Sequence, residues 1–141
     1  MLDSKKILIK ITQNKNFKLR VHCPFYKKGM NFLIDFSNEL KKNKMIYKFP
    51  ELFYLMFWCN KKNIENLKKK HFNEKIRLGR GLIFHICPSN VPTNFIYSFF
   101  FGLLSGNSNI VKIPNKNFPE KKVIINIIKN LLKKNKFKEI K

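Results

Sequence analysis

The chain has 141 residues, with 30 basic side chains against 8 acidic ones for a formal charge of +22, and 44% of its residues are hydrophobic. That length and apolar content suit one compact domain and argue against two independently folding ones. Charge of this size ordinarily points to nucleic acid or an anionic membrane, but the composition weakens the inference. All but three of the basic residues (Arg20, Arg77 and Arg80) are Lys, Asn occurs 18 times, Phe 15 times, and Ala is absent. Lys, Asn, Ile and Phe have A/T-rich codons and Ala has G/C-rich ones, so a biased genome accounts for the excess without any ligand. A phosphate-reading surface is expected to use more Arg, whose planar fork suits bidentate contacts, and nucleic acid is therefore disfavoured as a partner.

Cys23, Cys59 and Cys87 form an odd set with no CxxC spacing. This argues against a disulfide framework or a zinc site and fits a reducing, cytoplasmic setting. The N-terminus, "MLDSKKILIKITQNK", lacks the apolar region of a secretory signal. The most apolar windows, Leu52 to Trp58 and Phe95 to Leu104, fall well short of the roughly 20 residues needed to span a bilayer.

In chain order, two short β-branched runs around the polar turn Gln13 to Asn16 predict a β-hairpin from about Ile7 to Cys23. Phe32, Leu33, Phe36 and Leu40 recur at helical spacing between Met30 and Leu40, and Lys41 to Lys44 suit the negative end of that helix. Pro50 can open a further helix. It is expected to carry "ELFYLMFWCNKKNIENLKKK" as one element, with Leu52, Leu55, Met56, Ile64 and Leu67 turned to a core. "GRGLIFHICP" reads as a buried strand, an apolar run opened by glycines and closed by proline. "VPTNFIYSFFFGLLSG" is helical in length and is stopped by Gly106 and Asn107. "NIVKIP" is a second strand. "PEKKVIINIIKNLLKK" is a final helix, with Pro119 near its start and Val123, Ile124, Ile127, Ile128, Leu131 and Leu132 on one face. The order from Gly79 onward is β-α-β-α, which implies parallel strands with crossover helices.

In such a sheet, ligands sit beyond the carboxyl ends of the strands, at loops that lead into helix N-termini. The segment Cys87 to Thr93 is a position of this kind. Asn90, fixed between Pro88 and Pro92, can present a neutral NH₂ donor suited to an oxyanion hole. It can equally cap the following helix, a frequent role for Asn.

The line "GRGLIFHICPSNVPTNFIYSFFFGLLSGNSNIVKIP" resembles the long-chain acyl-CoA reductases of the bacterial-luminescence type, the LuxC family, a branch of the aldehyde dehydrogenase superfamily. Related dehydrogenases carry a Pro-x-Asn-x-Pro turn, a helix ending in Gly-Asn and a strand ending in Lys-x-Pro. Here these are Pro88-Ser89-Asn90-Val91-Pro92, Gly106-Asn107 and Lys112-Ile113-Pro114. "FPELFYLMFWCNKKNI" is similar to the helix that precedes this block in the family, although Cys59-Asn60 stands where the family usually has Arg soon after the Trp. The resemblance covers about Phe49 to Glu120.

The resemblance implies an α/β fold: N-terminal helices followed by the first β-α-β-α of an aldehyde-dehydrogenase-like, Rossmann-like nucleotide-binding domain, incomplete in this chain. Residues 1–48 would form an N-terminal hairpin and helix, and residues 49–141 the partial nucleotide-binding domain. The implied activity is NADPH-dependent reduction of fatty acyl-CoA to fatty aldehyde through an acyl-cysteine thioester. Asn90 matches the asparagine whose amide stabilises the oxyanion, and Lys112 the lysine that binds the adenosine ribose, with Pro114 and Asn115 beside it. NAD-preferring dehydrogenases often have Glu three residues beyond that lysine. Asn115 followed by Lys116 should instead accept a 2′-phosphate, so NADP(H) is the expected cofactor.

The family's nucleophile is a cysteine far downstream, and none of the three cysteines here occupies its position. Cys87, three residues before Asn90, reads as inert packing. His85, within an apolar strand, reads as a satisfied core residue. No cluster of His, Cys, Asp and Glu suggests a metal. The chain is therefore expected to be the N-terminal part of a reductase, truncated or split before the catalytic cysteine, inactive alone and partnered by acyl-CoA and a complementary catalytic domain or chain. The alternatives are a catalytically silent basic module that binds nucleotide or nucleic acid, and a non-functional gene remnant.

Overall fold

The structure is a computed structural model that describes residues 19–71, 76–138 and 140. Its elements run α1 (Lys27–Lys41), a 3₁₀ turn (Lys44–Tyr47), α2 (Pro50–Trp58), α3 (Lys61–His71), β1 (Leu82–Ile86), α4 (Asn94–Leu104), β2 (Ser108–Lys112), α5 (Pro119–Lys133) and a second 3₁₀ turn (Asn135–Phe137). Among the described residues, five α-helices and two parallel strands make a mixed fold compatible with the expected α/β class.

α1 is the centre of the core and packs against α2, α4 and α5. Phe32, Leu33, Phe36 and Leu40, the residues at helical spacing, are all fully buried on it, each contributing about 1.5–3 kcal/mol of transfer free energy. Phe36 meets Phe100 of α4 edge-on at 5.0 Å, and Phe32 meets Phe137 at 5.1 Å. From α5, Ile124, Ile127 and Leu131 are buried, while Val123, Ile128 and Leu132 pack against the rim of this core.

The segment expected to form one helix after Pro50 is two. Asn60 divides them, because its side chain and carbonyl both serve the second helix. Asn63 N donates to Asn60 Oδ1 at 2.8 Å, and Ile64 N donates to the Asn60 carbonyl at 3.0 Å. An Asn that can accept from the amide three residues on favours a helix start over a helix interior. Leu52, Leu55 and Ile64 are buried as expected, and Met56 and Leu67 are partly covered.

β1 and β2 pair in parallel with Leu82 opposite Ser108, Phe84 opposite Ile110 and Ile86 opposite Lys112. α4 crosses between them and covers the face that carries His85 and Asn109, which Gly102 approaches closely. The other face is open. Leu82 and Phe84 are each 44% exposed and Ile86 is 71% exposed, so β1 is not the buried strand its apolar run suggests. A continuous apolar run normally means helices on both faces of a parallel sheet, and among the described residues a helix covers only one.

The expected hairpin falls mainly on residues 7–18, outside the described residues. Its last stretch, Leu19 to Cys23, has no strand assignment but is tied across the turn after α4. His22 N donates to the Gly106 carbonyl at 2.9 Å, Gly79 N to the His22 carbonyl at 3.0 Å, and Phe25 N to the Leu104 carbonyl at 2.6 Å. The last of these bonds helps hold Phe25 at φ +56, the one non-glycine residue with positive φ among those described.

Candidate functional site

Parallel strands put the loops that leave β1 and β2 at one edge of the sheet. The loop after β1 carries Pro88 to Pro92 and leads to α4, whose first residue is Asn94. The N-cap of α4 is Thr93, whose carbonyl accepts from Ile96 N at 3.1 Å and Tyr97 N at 3.3 Å. Asn90 lies upstream of that cap and is exposed, so it does not cap the helix. It lies in the loop between β1 and the N-terminus of α4.

The Gly106-Asn107 pair has a structural task. Gly106 adopts φ +81, and a β-carbon there would come within 2.1 Å of the His22 carbonyl oxygen. Only glycine takes that conformation and that approach without strain. Asn107 is 7% exposed, and its Oδ1 accepts from Arg80 N at 2.6 Å and Gly81 N at 3.2 Å. Its Nδ2 donates to the Gly102 carbonyl at 3.4 Å. The end of α4 is thereby fixed to the segment that enters β1, which sets where both strands begin.

At the end of β2, Lys112 is exposed beside Ile86, Pro114 is buried, and Asn115 and Lys116 are exposed. A residue that the sequence reading missed organises this loop. Lys121, in the first turn of α5, donates from Nζ to the carbonyls of Pro114 at 2.9 Å, Asn115 at 3.5 Å and Lys116 at 2.5 Å. The signal was present in principle. Helix side chains lean toward the N-terminus, and a cation in a first turn opposes the macrodipole, so Lys121 had reason to reach back into the loop.

Cys59 is fully buried, and burial pushes its thiol well above the ordinary value. Burial, with a contribution from Cys59, also raises the Tyr97 hydroxyl. Cys87 is partly buried and donates to Ser98 Oγ at 3.4 Å, and Cys23 is exposed. His85 is satisfied as expected, through Asn109 at 2.9 Å. Among the described residues no group of three or more His, Cys, Asp or Glu could hold a metal ion, and no helix is long and apolar enough to cross a membrane.

Polar residues beyond the carboxyl ends of two parallel strands, next to a helix N-terminus, stand where α/β sheets commonly take their ligands. The family follows from the sequence match. Residues 31–140 match the family model described as Acyl-CoA reductase (LuxC), and the chain belongs to that family. The match is wider than the stretch Phe49 to Glu120 that carries the motifs, and it includes most of α1. Comparison with curated proteins and with solved structures gives no match.

Proposed function

We propose that the chain forms the cofactor-side part of an acyl-CoA reductase that makes fatty aldehyde from fatty acyl-CoA with NADPH. The observation that carries this reading is the common edge occupied by Asn90 and Lys112, beyond neighbouring parallel strands, in a chain of this family. Residues 49–141 supply the nucleotide-binding part, and α1 packs against its helices.

The residues fit the adenosine end of a nicotinamide cofactor. Lys112 offers an exposed ammonium at the strand end, and Asn115 and Lys116 are exposed just beyond it. Of residues 112–122 only Glu120 is acidic, and it is buried. No carboxylate therefore meets a 2′-phosphate at Asn115, whereas Glu there would repel it. When bound, the cofactor supplies a hydride to the acyl carbon.

The chain's own contribution to the chemistry is Asn90. A thiolate adds to the acyl carbonyl, the C=O electron pair moves to oxygen, and the Asn90 amide donates to that oxyanion until CoA leaves as its thiolate. A fixed neutral donor stabilises the developing charge without adding a competing one. The attacking thiol is assigned to a complementary catalytic domain or chain, because none of Cys23, Cys59 and Cys87 matches the nucleophile position of the family, and Cys59 is in addition sealed in the core.

Titration of the chain with NADPH and NADH tests the cofactor assignment. NADPH is expected to bind more tightly, Lys112→Ala to weaken both, and Asn115→Glu to weaken NADPH selectively. Equal affinities in the parent chain, or equal losses in the Asn115→Glu variant, overturn it.

A further inference from the structure

We infer that the outer face of α2 is a docking surface for an anionic phospholipid bilayer. After Pro50 and Glu51 every residue of α2 is apolar or aromatic, and a helix that is apolar all round is normally covered all round. Here only one side is covered. Leu52, Leu55 and Cys59, spaced three and four apart, are fully buried against the core, whereas Phe53, Tyr54 and Phe57 on the other side are 46%, 68% and 63% exposed. The Phe53 and Tyr54 rings meet at 6.3 Å. Trp58, partly buried, carries the strip across to α4, where it meets the exposed Phe101 edge-on at 5.2 Å. Tyr47, which closes the 3₁₀ turn before α2, is exposed as well.

The charge around this strip decides what covers it. The abundance of Lys reflects composition and by itself names no partner, but lysines stand at both ends of the strip. Lys44 and Lys48 precede α2, Lys61 and Lys62 follow it, all four are exposed, and Glu51 is the only acidic residue from 44 to 62. A second copy of the chain would bring the same positive rim, and a total charge of +22, against its equal. An anionic bilayer is complementary to both the rim and the strip. Aromatic rings are favoured at the headgroup boundary, with the apolar body toward the acyl chains and the polar tip of Tyr or Trp toward water. Lysine stems lie along apolar surface while their ammonium groups reach the lipid phosphates. With nine residues, and with its inner side held on the core, α2 lies in the plane of the surface and does not cross it.

Trp58 is the only tryptophan of the chain and reports contact at this face. The 141-residue chain is mixed at low salt with vesicles of phosphatidylcholine alone, and with vesicles of equal parts phosphatidylcholine and phosphatidylserine. Binding to the mixed vesicles is expected to be about tenfold tighter or more, as several lysines near an anionic surface supply. Lipids brominated on their acyl chains should quench Trp58 in the bound chain. Phe53→Ser, Tyr54→Ser and Phe57→Ser combined, which touch none of the buried core, should lower affinity about tenfold or more by removing the inserted apolar surface. Lys48→Gln, Lys61→Gln and Lys62→Gln combined should weaken binding to the mixed vesicles and leave that to phosphatidylcholine within about twofold. No binding to the mixed vesicles, equal binding to the two compositions, or binding that leaves Trp58 unquenched overturns the proposal. So does a dimer that the three serine substitutions abolish, since the face then belongs to a second copy. Should the serine-substituted chain not fold, quenching of Trp58 in the parent chain decides.

Discussion

His85 and Asn109 meet side chain to side chain at 2.9 Å across neighbouring strands, on the face where Gly102 brings α4 against the sheet. Asn109 Nδ2 donates to the Asn107 carbonyl at 2.7 Å, which leaves Oδ1 to accept and assigns the proton of the contact to His85 Nε2. A β-carbon on Gly102 would lie 1.9 Å from Asn109 Oδ1 and 2.9 Å from His85 Nε2. Gly102→Ala should therefore break this pair or lift α4, at a cost of about 1–3 kcal/mol for overpacking. Urea unfolding measures it. A loss below about 0.5 kcal/mol, the range of neutral surface changes, would mean that both side chains swing aside freely.

Sequence periodicity found the elements whose apolar residues have one destination. α1 and α5 show this, because Phe32, Phe36 and Leu40 on one and Ile124, Ile127 and Leu131 on the other all point into one core. It joined α2 to α3 because the break depends on which group Asn60 bonds, and an apolar pattern carries no such information. It read β1 as buried because apolar runs do not say whether a second layer is present. The ends of the candidate site, Asn90 and Lys112, were legible through the spacing of prolines, Gly-Asn and Lys-Ile-Pro. Lys121 was not, since one lysine among many becomes distinctive only when three carbonyls are seen to converge on it. Phe100 is fully buried, stacked on Trp58 at 6.4 Å and edge-on to Phe36.

The buried thiol of Cys59 sets a pH dependence. Burial holds it neutral in the folded chain well above its ordinary value of 9.0, while in the unfolded chain it ionises near that value. A group raised in the folded state contributes stability that is intact below the unfolded value and is lost as pH climbs toward the folded one. Stability should therefore decline from about pH 9 upward, by at most about 1.4 kcal/mol per pH unit from this group. Cys59→Val removes that component, so the difference between the two chains across pH 8 to 10.5 isolates it. Parallel curves would show that the thiol ionises equally in both states. Tyr97 is raised as well, first by burial and then by Cys59; the part due to burial adds a later decline that both chains share.

Asn90 is exposed and lies outside the α4 cap, so replacing it should leave stability unchanged within about 0.5 kcal/mol. In the reductase assembled with its thiol-bearing part, Asn90→Ala should lower kcat about 10²- to 10³-fold, the usual cost of one oxyanion donor. The KM for NADPH should change little, because the donor acts on the acyl oxygen alone. Asn90→Asp should be as slow as Asn90→Ala, since a carboxylate faces the same negative charge. A turnover within about threefold of the parent would remove Asn90 from the oxyanion site.

The open face of the sheet makes the last prediction. Leu82, Phe84 and Ile86 are aligned on β1 with Ile110 beside them on β2, and Leu19 and Val21 add further exposed apolar surface. A contiguous apolar face next to a strand edge that is unpaired among the described residues is a site for self-association. The charge of +22 opposes that association between copies. Salt weakens the repulsion, as the screening length falls from roughly 10 Å at 0.1 M to about 3 Å at 1 M, but leaves hydrophobic attraction in place. The chain alone should therefore bind an apolar fluorescent dye and sediment as larger species as salt rises. Phe84→Lys with Ile86→Thr should suppress both responses, because it removes the two central apolar side chains of that face and touches none of the buried core. If the doubly substituted chain still binds dye and still grows with salt, the surface responsible lies elsewhere. The exposed aromatic residues Phe53, Tyr54 and Phe57 of α2 are then the next to replace.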